Sequence, residues 1–223
     1  MDTLPNVNTR ESKSDATLSN AGLTSNVLLK ANDLQGVSVR YAPNPKKQWF
    51  VMRVTYNRIY KAYDSISKDK TEAYFPVHYV QKNINGKKKR VLEPLLAGIL
   101  FVYSTKEKVE SYVRQLPFLT YYYNHFKTNP DGKNPPLIVD YDDMMNFIQA
   151  TSVDNEHIRL VTPQQCHYKS GDRVRVIAGD FKGVEGRIAR VAGQQRVIVE
   201  IENLCLIATA YVPTAFIEVI KVN

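Results

Sequence analysis

The stretch from Ser170 to Val191, SGDRVRVIAGDFKGVEGRIARV, constrains the fold more than any other part of the chain. Its first half alternates, with Val174 and Val176 on one face and Arg173 and Arg175 on the other, the period of a half-buried strand. Gly179, Gly183 and Gly186 fall where a chain must turn sharply or admit another backbone, and Asp180 is itself a turn former. The alternation resumes in EGRIARV, so the stretch reads as a turn-linked strand pair. Three more short strands follow: QRVIVEI, LCLIATAYV and AFIEVI. Five short strands in about fifty-five residues imply a small barrel, because closure is what hides so many edges.

The region before it has a different grammar. WFVMRVT, Trp49 to Thr55, is aromatic and β-branched and reads as a buried strand. Ile59, Ala62, Tyr63 and Ile66 then mark one apolar face of a helix, with Asn57 as its start signal. EAYFPVHYVQK reads as a strand interrupted at Pro76, and Asn85-Gly86 as a hairpin turn. GILFVYS is the next strand, and Ser104 with Glu107 forms a capping box for a helix carrying Val109, Tyr112, Val113 and Leu116 inward until Pro117 ends it. FLTYYYN is a further strand, NPDGKNPP a loop, and Asp140 opens a third helix with Tyr141, Met144, Met145 and Ile148 inward. This order suits an antiparallel sheet with helices packed on one face, the split βαβ arrangement.

The expected organisation is a flexible N-terminal arm over 1–45, an α+β domain over 46–151, a polar linker over 152–167 and the barrel over 168–223. The arm is rich in Ser, Thr, Asn and Asp, and within it NVLLKANDL reads as loop or as a short helix formed on contact. The net charge is +8, and residues 46–151 hold 17 basic and 10 acidic side chains. An excess of that sign favours nucleic acid or an acidic protein surface. Cys166 and Cys205 are the only cysteines and form no C-x-x-C pair, so no disulfide framework or zinc cluster is implied and a reducing compartment fits. No apolar run approaches the roughly 18 residues of a membrane span, and the Met1 end has no signal-peptide pattern, so the expected location is cytoplasmic, with no membrane partner.

Gly171, Asp172, Val174, Val176, Gly179, Phe181, Gly183 and Gly186 match the KOW motif position by position. The stretch resembles the motif that begins the C-terminal barrel of the NusG family of transcription elongation factors. The order WFVMRV, YFPVHYV, NGKKKRVLEPLLAGILFVYS, VRQLPFLTYY and PLIVDYDDMMNFI resembles that family's N-terminal (NGN) domain, so the resemblance covers about residues 48–222. EPLLAGILFV and the ending IATAYVPTAFIEVI are nearer to specialised paralogues such as RfaH and UpxY than to the housekeeping factor. The family's usual Phe-Pro-Gly-Tyr segment is Leu96-Ala97-Gly98-Ile99 here, which keeps apolar contact and loses aromatic stacking and the proline; KVESY replaces the Thr-rich segment RfaH uses for a second polymerase contact.

The resemblance implies a non-enzymatic, monomeric factor that binds RNA polymerase at the clamp helices of the largest catalytic subunit and suppresses pausing or termination. Carried onto this chain, the polymerase contact comprises Phe50, Leu95, Leu96 and Ile99, with Trp49 behind them. Lys46, Lys47, Arg53, Arg58 and Lys61, with Tyr56 and Tyr60 as stacking candidates, are the residues expected to meet non-template DNA or nascent RNA. A ribosomal protein or another factor is the expected partner of the barrel.

Enzymatic readings lack their groups. His78, His125, His157 and His167 show no metal-ligand spacing, and the glycines match no dinucleotide or Walker loop. Asp140, Asp142 and Asp143 open a helix, where capping and the dipole favour acids, so neither a metal nor any other cofactor is expected. Lys87, Lys88, Lys89 and Arg90 read as a solvated hairpin tip or a nucleic-acid contact; Arg173, Arg175, Arg187 and Arg190 read as the outer face of the barrel. The rival functional classes are a stand-alone KOW-type RNA-binding or ribosome-associated protein and a pure adaptor.

Overall fold

The computed structural model describes residues 41–153 and 157–220. Most of the N-terminal arm, including NVLLKANDL, lies outside them. The first domain runs β1 (Gln48–Val54), α1 (Ile59–Lys68), β2 (Glu72–Tyr74), β3 (Val77–Ile84), β4 (Lys87–Pro94), β5 (Ile99–Ser104), α2 (Lys106–Gln115), β6 (Leu119–Tyr121), β7 (Ile138–Val139) and α3 (Tyr141–Thr151). Its main sheet has the order β2-β5-β1-β6, with β7 also on β1, and every pairing is antiparallel.

Helices cover both faces of this sheet rather than one. Side chains alternate across a strand. Ala73 and Phe75 therefore point away from Tyr74, and Phe75 meets Tyr60 and Tyr63 of α1 at ring separations of 5.4 Å. The opposite face carries Tyr74, whose hydroxyl bonds Thr151 of α3 at 2.6 Å, and Phe101, 5.4 Å from Phe147 of α3. All four expected residues of α1 are buried. The cap of α2 is Thr105, which accepts from the Lys108 N–H at 3.4 Å; Ser104 is instead the buried last residue of β5. Asp140 caps α3 as expected, accepting from the Asp142 N–H at 2.9 Å.

The chain between β6 and β7 leaves and rejoins the sheet through one junction. Tyr122 N–H donates to the Val51 carbonyl (2.9 Å), Leu137 N–H to the Tyr122 carbonyl (2.7 Å) and Val51 N–H to the Leu137 carbonyl (3.0 Å). Tyr41, assigned above to the arm, is 1 % exposed: its ring meets Trp49 edge-on at 5.2 Å, while Tyr103 stacks on Trp49 from 5.0 Å.

The second domain is an all-β sheet of order β13-β9-β10-β11-β12-β8, built from β8 (Arg159–Val161), β9 (His167–Val176), β10 (Glu185–Val191), β11 (Gln194–Ile201), β12 (Cys205–Tyr211) and β13 (Ile217–Val219). The expected strands are all present. The sixth, β8, comes from the 152–167 segment read as linker: it pairs with β12, and Val161 and Cys166 are buried. The same segment is clasped by Arg196, which is 2 % exposed and donates to the carbonyls of His157 (2.9 Å) and Thr209 (2.6 Å) and to Gln194 Oε1 (2.7 Å). Burial, and then the neighbouring Arg159, lower the pKa of this guanidinium.

The two domains touch through α3. Its buried apolar residues Met144, Phe147 and Ile148 belong to one hydrophobic cluster that runs from the first domain into Val174, Val176, Val197 and Val199 of the second. In addition, the Asn146 amide exchanges two 2.8 Å bonds with the backbone of Glu185, and Gln149 donates to the Lys182 carbonyl at 2.5 Å.

At Gly186 a methyl group would overlap the Ile198 carbonyl oxygen and sit 2.8 Å from Val197 Cγ1, whereas Gly193 has open space around it and only its φ of +78° to constrain it. Gly186→Ala is expected to destabilise the second domain by about 3 kcal/mol, and Gly193→Ala by about 1 kcal/mol, in urea unfolding.

Candidate functional site

The chain turns out of β1 at a corner that gathers Tyr56, Arg58 and Lys61 of the expected nucleic-acid residues. Val54 N–H donates to the Gly98 carbonyl (2.8 Å) and Thr55 N–H to the Phe118 carbonyl (2.9 Å), which ends the strand. Tyr56 and Asn57 then adopt left-handed conformations, φ 58° and 54°, and the helix cap falls on Arg58 rather than Asn57, with no side-chain hydrogen bond. The Arg58 guanidinium lies 5.6 Å from the Tyr56 ring centroid and 5.3 Å from that of Phe118; the Lys61 ammonium lies 5.8 Å from Phe118. Phe118 is buried, so it acts as the floor, and Tyr56 is 80 % exposed.

Two cations at the N-terminal end of a helix oppose its dipole, so their placement does not stabilise α1. It does create a positive corner beside a free aromatic face, the combination that holds a single strand by phosphate contact and stacking. Tyr60 does not share this role. It is partly buried, packs on Phe75 and donates to the Leu92 carbonyl at 3.4 Å, and burial raises its pKa.

The other expected cations lie elsewhere. Lys46 and Lys47 sit at the far end of β1, about 23 Å away along a seven-residue strand. Lys47 is committed to Glu72 at 2.9 Å and lies over the Tyr103 ring, while Lys46 is exposed. Arg53 is exposed at the penultimate position of β1, opposite Ile99 on one side and Thr120 on the other. The five cations therefore occupy three places rather than one surface.

The five apolar residues assigned to polymerase are all buried: Trp49 0 %, Phe50 2 %, Leu95 and Leu96 7 %, Ile99 9 %. Trp49 and Phe50 are adjacent in a strand and point to opposite faces, so they cannot share one patch. Trp49 packs between Tyr41 and Tyr103; Phe50 faces Tyr121 at 6.1 Å. Leu95 and Leu96 lie in the connection from the hairpin to Ile99, the first residue of β5, held by Leu95 N–H to the Pro76 carbonyl (2.8 Å) and Ile99 N–H to the Leu96 carbonyl (3.3 Å). Between them Ala97 is exposed, and Gly98 takes φ +69° where a Cβ would sit 2.8 Å from the Val54 carbonyl oxygen. The glycine of the departed segment is therefore required by the backbone.

The motif residues of the second domain build its turn. Val174, Val176 and Phe181 are buried, and the 179–184 turn is closed by Gly183 N–H to the Val176 carbonyl (2.7 Å) and Val176 N–H to the Val184 carbonyl (2.9 Å). Gly179 lies against Phe216; Asp172 is exposed; Gly171 lies within β9. Of the outer arginines, Arg175 bonds Glu185 at 2.6 Å and Arg173 lies 3.7 Å from it, while Arg187 and Arg190 are exposed.

Among the described residues no group of three or more His, Cys, Asp or Glu side chains converges as metal ligands, and no helix is long and apolar enough to cross a membrane. Asp143 is pushed up by burial and by Asp140, and drawn down by Arg173.

An antiparallel α+β domain is thus followed by an all-β domain in which a glycine-punctuated turn joins β9 to β10. Residues 47–147 match the family model described as transcription termination factor nusG, and residues 170–202 match that of the KOW motif. The chain belongs to the NusG family, with an NGN domain and a KOW domain. It is a transcription elongation and termination factor of a non-enzymatic family whose members bind RNA polymerase. Among solved structures it is similar to one titled "Domain interaction in Thermotoga maritima NusG", at 18 % identity over 79 % of this chain and 98 % of that chain, with a TM-score of 0.39. No curated protein matches the sequence.

Burial raises the pKa of the Cys166 thiol and pushes that of Cys205 up to about 12. At pH 8 the thiolate fraction of Cys205 is then roughly one in ten thousand, and the thiolate is the nucleophile. Iodoacetamide is expected to leave Cys205 unmodified in the native protein, by mass spectrometry, under conditions that alkylate the urea-unfolded chain fully.

Proposed function

We propose that this protein is a specialised, operon-specific antitermination factor of the RfaH and UpxY type, acting as a cytoplasmic monomer. Its NGN domain binds the clamp helices of the largest catalytic subunit of RNA polymerase and suppresses pausing or termination. The corner Tyr56–Arg58–Lys61 holds a base and the adjoining phosphates of the non-template strand or of nascent RNA. The KOW domain binds a ribosomal protein or another factor. The observation that carries the reading is the exposed Tyr56 ring backed by two cations over buried Phe118. Phosphate contacts alone position a protein, and selectivity needs a base to be read. The reading is further supported by the likeness of EPLLAGILFV and IATAYVPTAFIEVI to the specialised paralogues.

The polymerase contact is assigned to the Leu95–Ile99 segment, with Trp49 and Phe50 supporting it from the core. Because its leucines and Ile99 are buried, an acidic replacement there would unfold the domain. Exposed Ala97 is the better probe. Ala97→Glu is expected to abolish capture of RNA polymerase from lysate by the tagged protein while leaving thermal unfolding unchanged; normal capture would reject the assignment.

Arg58→Ala with Lys61→Ala should lower readthrough of the target operon several-fold and leave polymerase capture intact. Deletion of the gene, followed by transcript profiling, should show one long operon losing its distal genes. Co-purification with ribosomal particles in place of polymerase would favour the stand-alone RNA-binding class.

A further inference from the structure

The β3–β4 hairpin has no part in the reading above. It forms a two-stranded sheet of its own, paired in register from Val77↔Pro94 to Ile84↔Lys87, and every residue from 81 to 90 is exposed. Strands of eight residues reach about 26 Å, and a two-stranded ribbon standing alone is only marginally stable in water.

Its charges make that worse. Lys82 lies directly opposite Lys89, and Lys87, Lys88 and Arg90 complete the outer half. Like charges directly opposite across a pair of strands are destabilising. The only carboxylate on either strand is Glu93, near the base, where it pairs with Lys82. A ribbon shaped for its own stability would alternate the signs. This one concentrates a repulsion that an external polyanion would relieve.

We propose that the β3–β4 ribbon is a binding element for double-stranded nucleic acid, seated in a groove with its cations on the flanking phosphates. The major groove of B-form DNA admits a two-stranded ribbon. The turn Asn85-Gly86, with φ of 53° and 74°, makes a narrow tip, and Ile84 beside it is 37 % exposed, an apolar contact at the leading end. Arg90 is held over the Tyr79 ring at 3.8 Å, which orients its planar fork. The ligand is a duplex and not a single strand because strand readers present rings for stacking, and residues 81–90 include no aromatic side chain. A protein partner would need a buried anchor at the centre of its footprint, and Ile84 is the only large apolar side chain on the outer half.

The inference goes beyond the proposed function and does not depend on polymerase binding. The test uses the purified full-length chain, a short labelled DNA duplex and a single strand of the same length, titrated across a series of salt concentrations. Each phosphate contact contributes roughly 0.9 to the slope of log affinity against log salt. Replacing Lys87, Lys88 and Lys89 together by Ala should lower the duplex slope by about 2 to 3 and the affinity at low salt by about tenfold or more. Thermal unfolding of the variant should be unchanged or raised, since repulsion is removed. An unchanged slope would overturn the proposal, as would single strand binding as tightly as duplex and being lost equally in the variant. So would polyglutamate competing as well as duplex at equal charge concentration, which marks a surface for acidic polymers in general. Retained duplex binding by a chain that fails to capture polymerase would reject the proposed function and leave this inference standing.

Discussion

Strand β1 has no free side, and the first domain is organised by that fact. One edge is bonded to β5 along its length and the other to β6 and β7 in succession. Trp49, Phe50, Val51 and Met52 are each at most 2 % exposed, so both faces are covered as well. Each such side chain contributes about 1.5 to 3 kcal/mol of burial, and none can move without disturbing three neighbouring strands. The functional corner begins where this enclosure ends: at Thr55 the last bond to the neighbouring chain is made, and Tyr56 beyond it is 80 % exposed.

Helix α3 is the second shared element, joining the two domains through a continuous apolar cluster and through its amides. The amides of Asn146 and Gln149 bond main-chain atoms of Glu185 and Lys182, so they read the backbone of the KOW turn and not its side chains. Neutral hydrogen bonds of this kind are worth about 0.5 to 1.5 kcal/mol each. Three of them add orientation to an apolar cluster that is already continuous from the first domain through α3 into the second. The Arg196 clasp is of another order, since a buried guanidinium bonded to two carbonyls and an amide ties the segment before β9 to the domain that follows it.

The strands of the KOW domain and the apolar face of α1 were legible from periodicity, because a half-buried element repeats its solvent contact at a fixed interval; on α3 it found Met144 and Ile148 and missed buried Phe147. What periodicity cannot supply is the partner. Lys47 and Arg58 look alike in sequence, and only the fold brings Glu72 to one and Phe118 to the other. Tyr56 and Tyr60 differ in the same way: a left-handed turn throws the first outward, while the helix carries the second onto Phe75. Strand β8 has three residues in a polar stretch, too short for any period to register, and its pairing with β12 is a tertiary event. The alternation of Trp49 and Phe50 was available in the sequence, and it sets Trp49 behind the face that carries Phe50.

The junction of Val51, Tyr122 and Leu137 has a bearing on how such a domain can diversify. Three main-chain bonds draw the two ends of the 123–136 segment together and satisfy the backbone of β1 at the same point, so the sheet is indifferent to what lies between them. Chain can be added or removed beyond that knot without changing strand register, and lengthening a loop whose ends are already fixed costs little entropy. The segment is a natural port for grafted sequence: an epitope, a fluorophore or a whole module entering there would ride on the most enclosed strand of the domain while leaving the Tyr56 corner and the β3–β4 ribbon untouched.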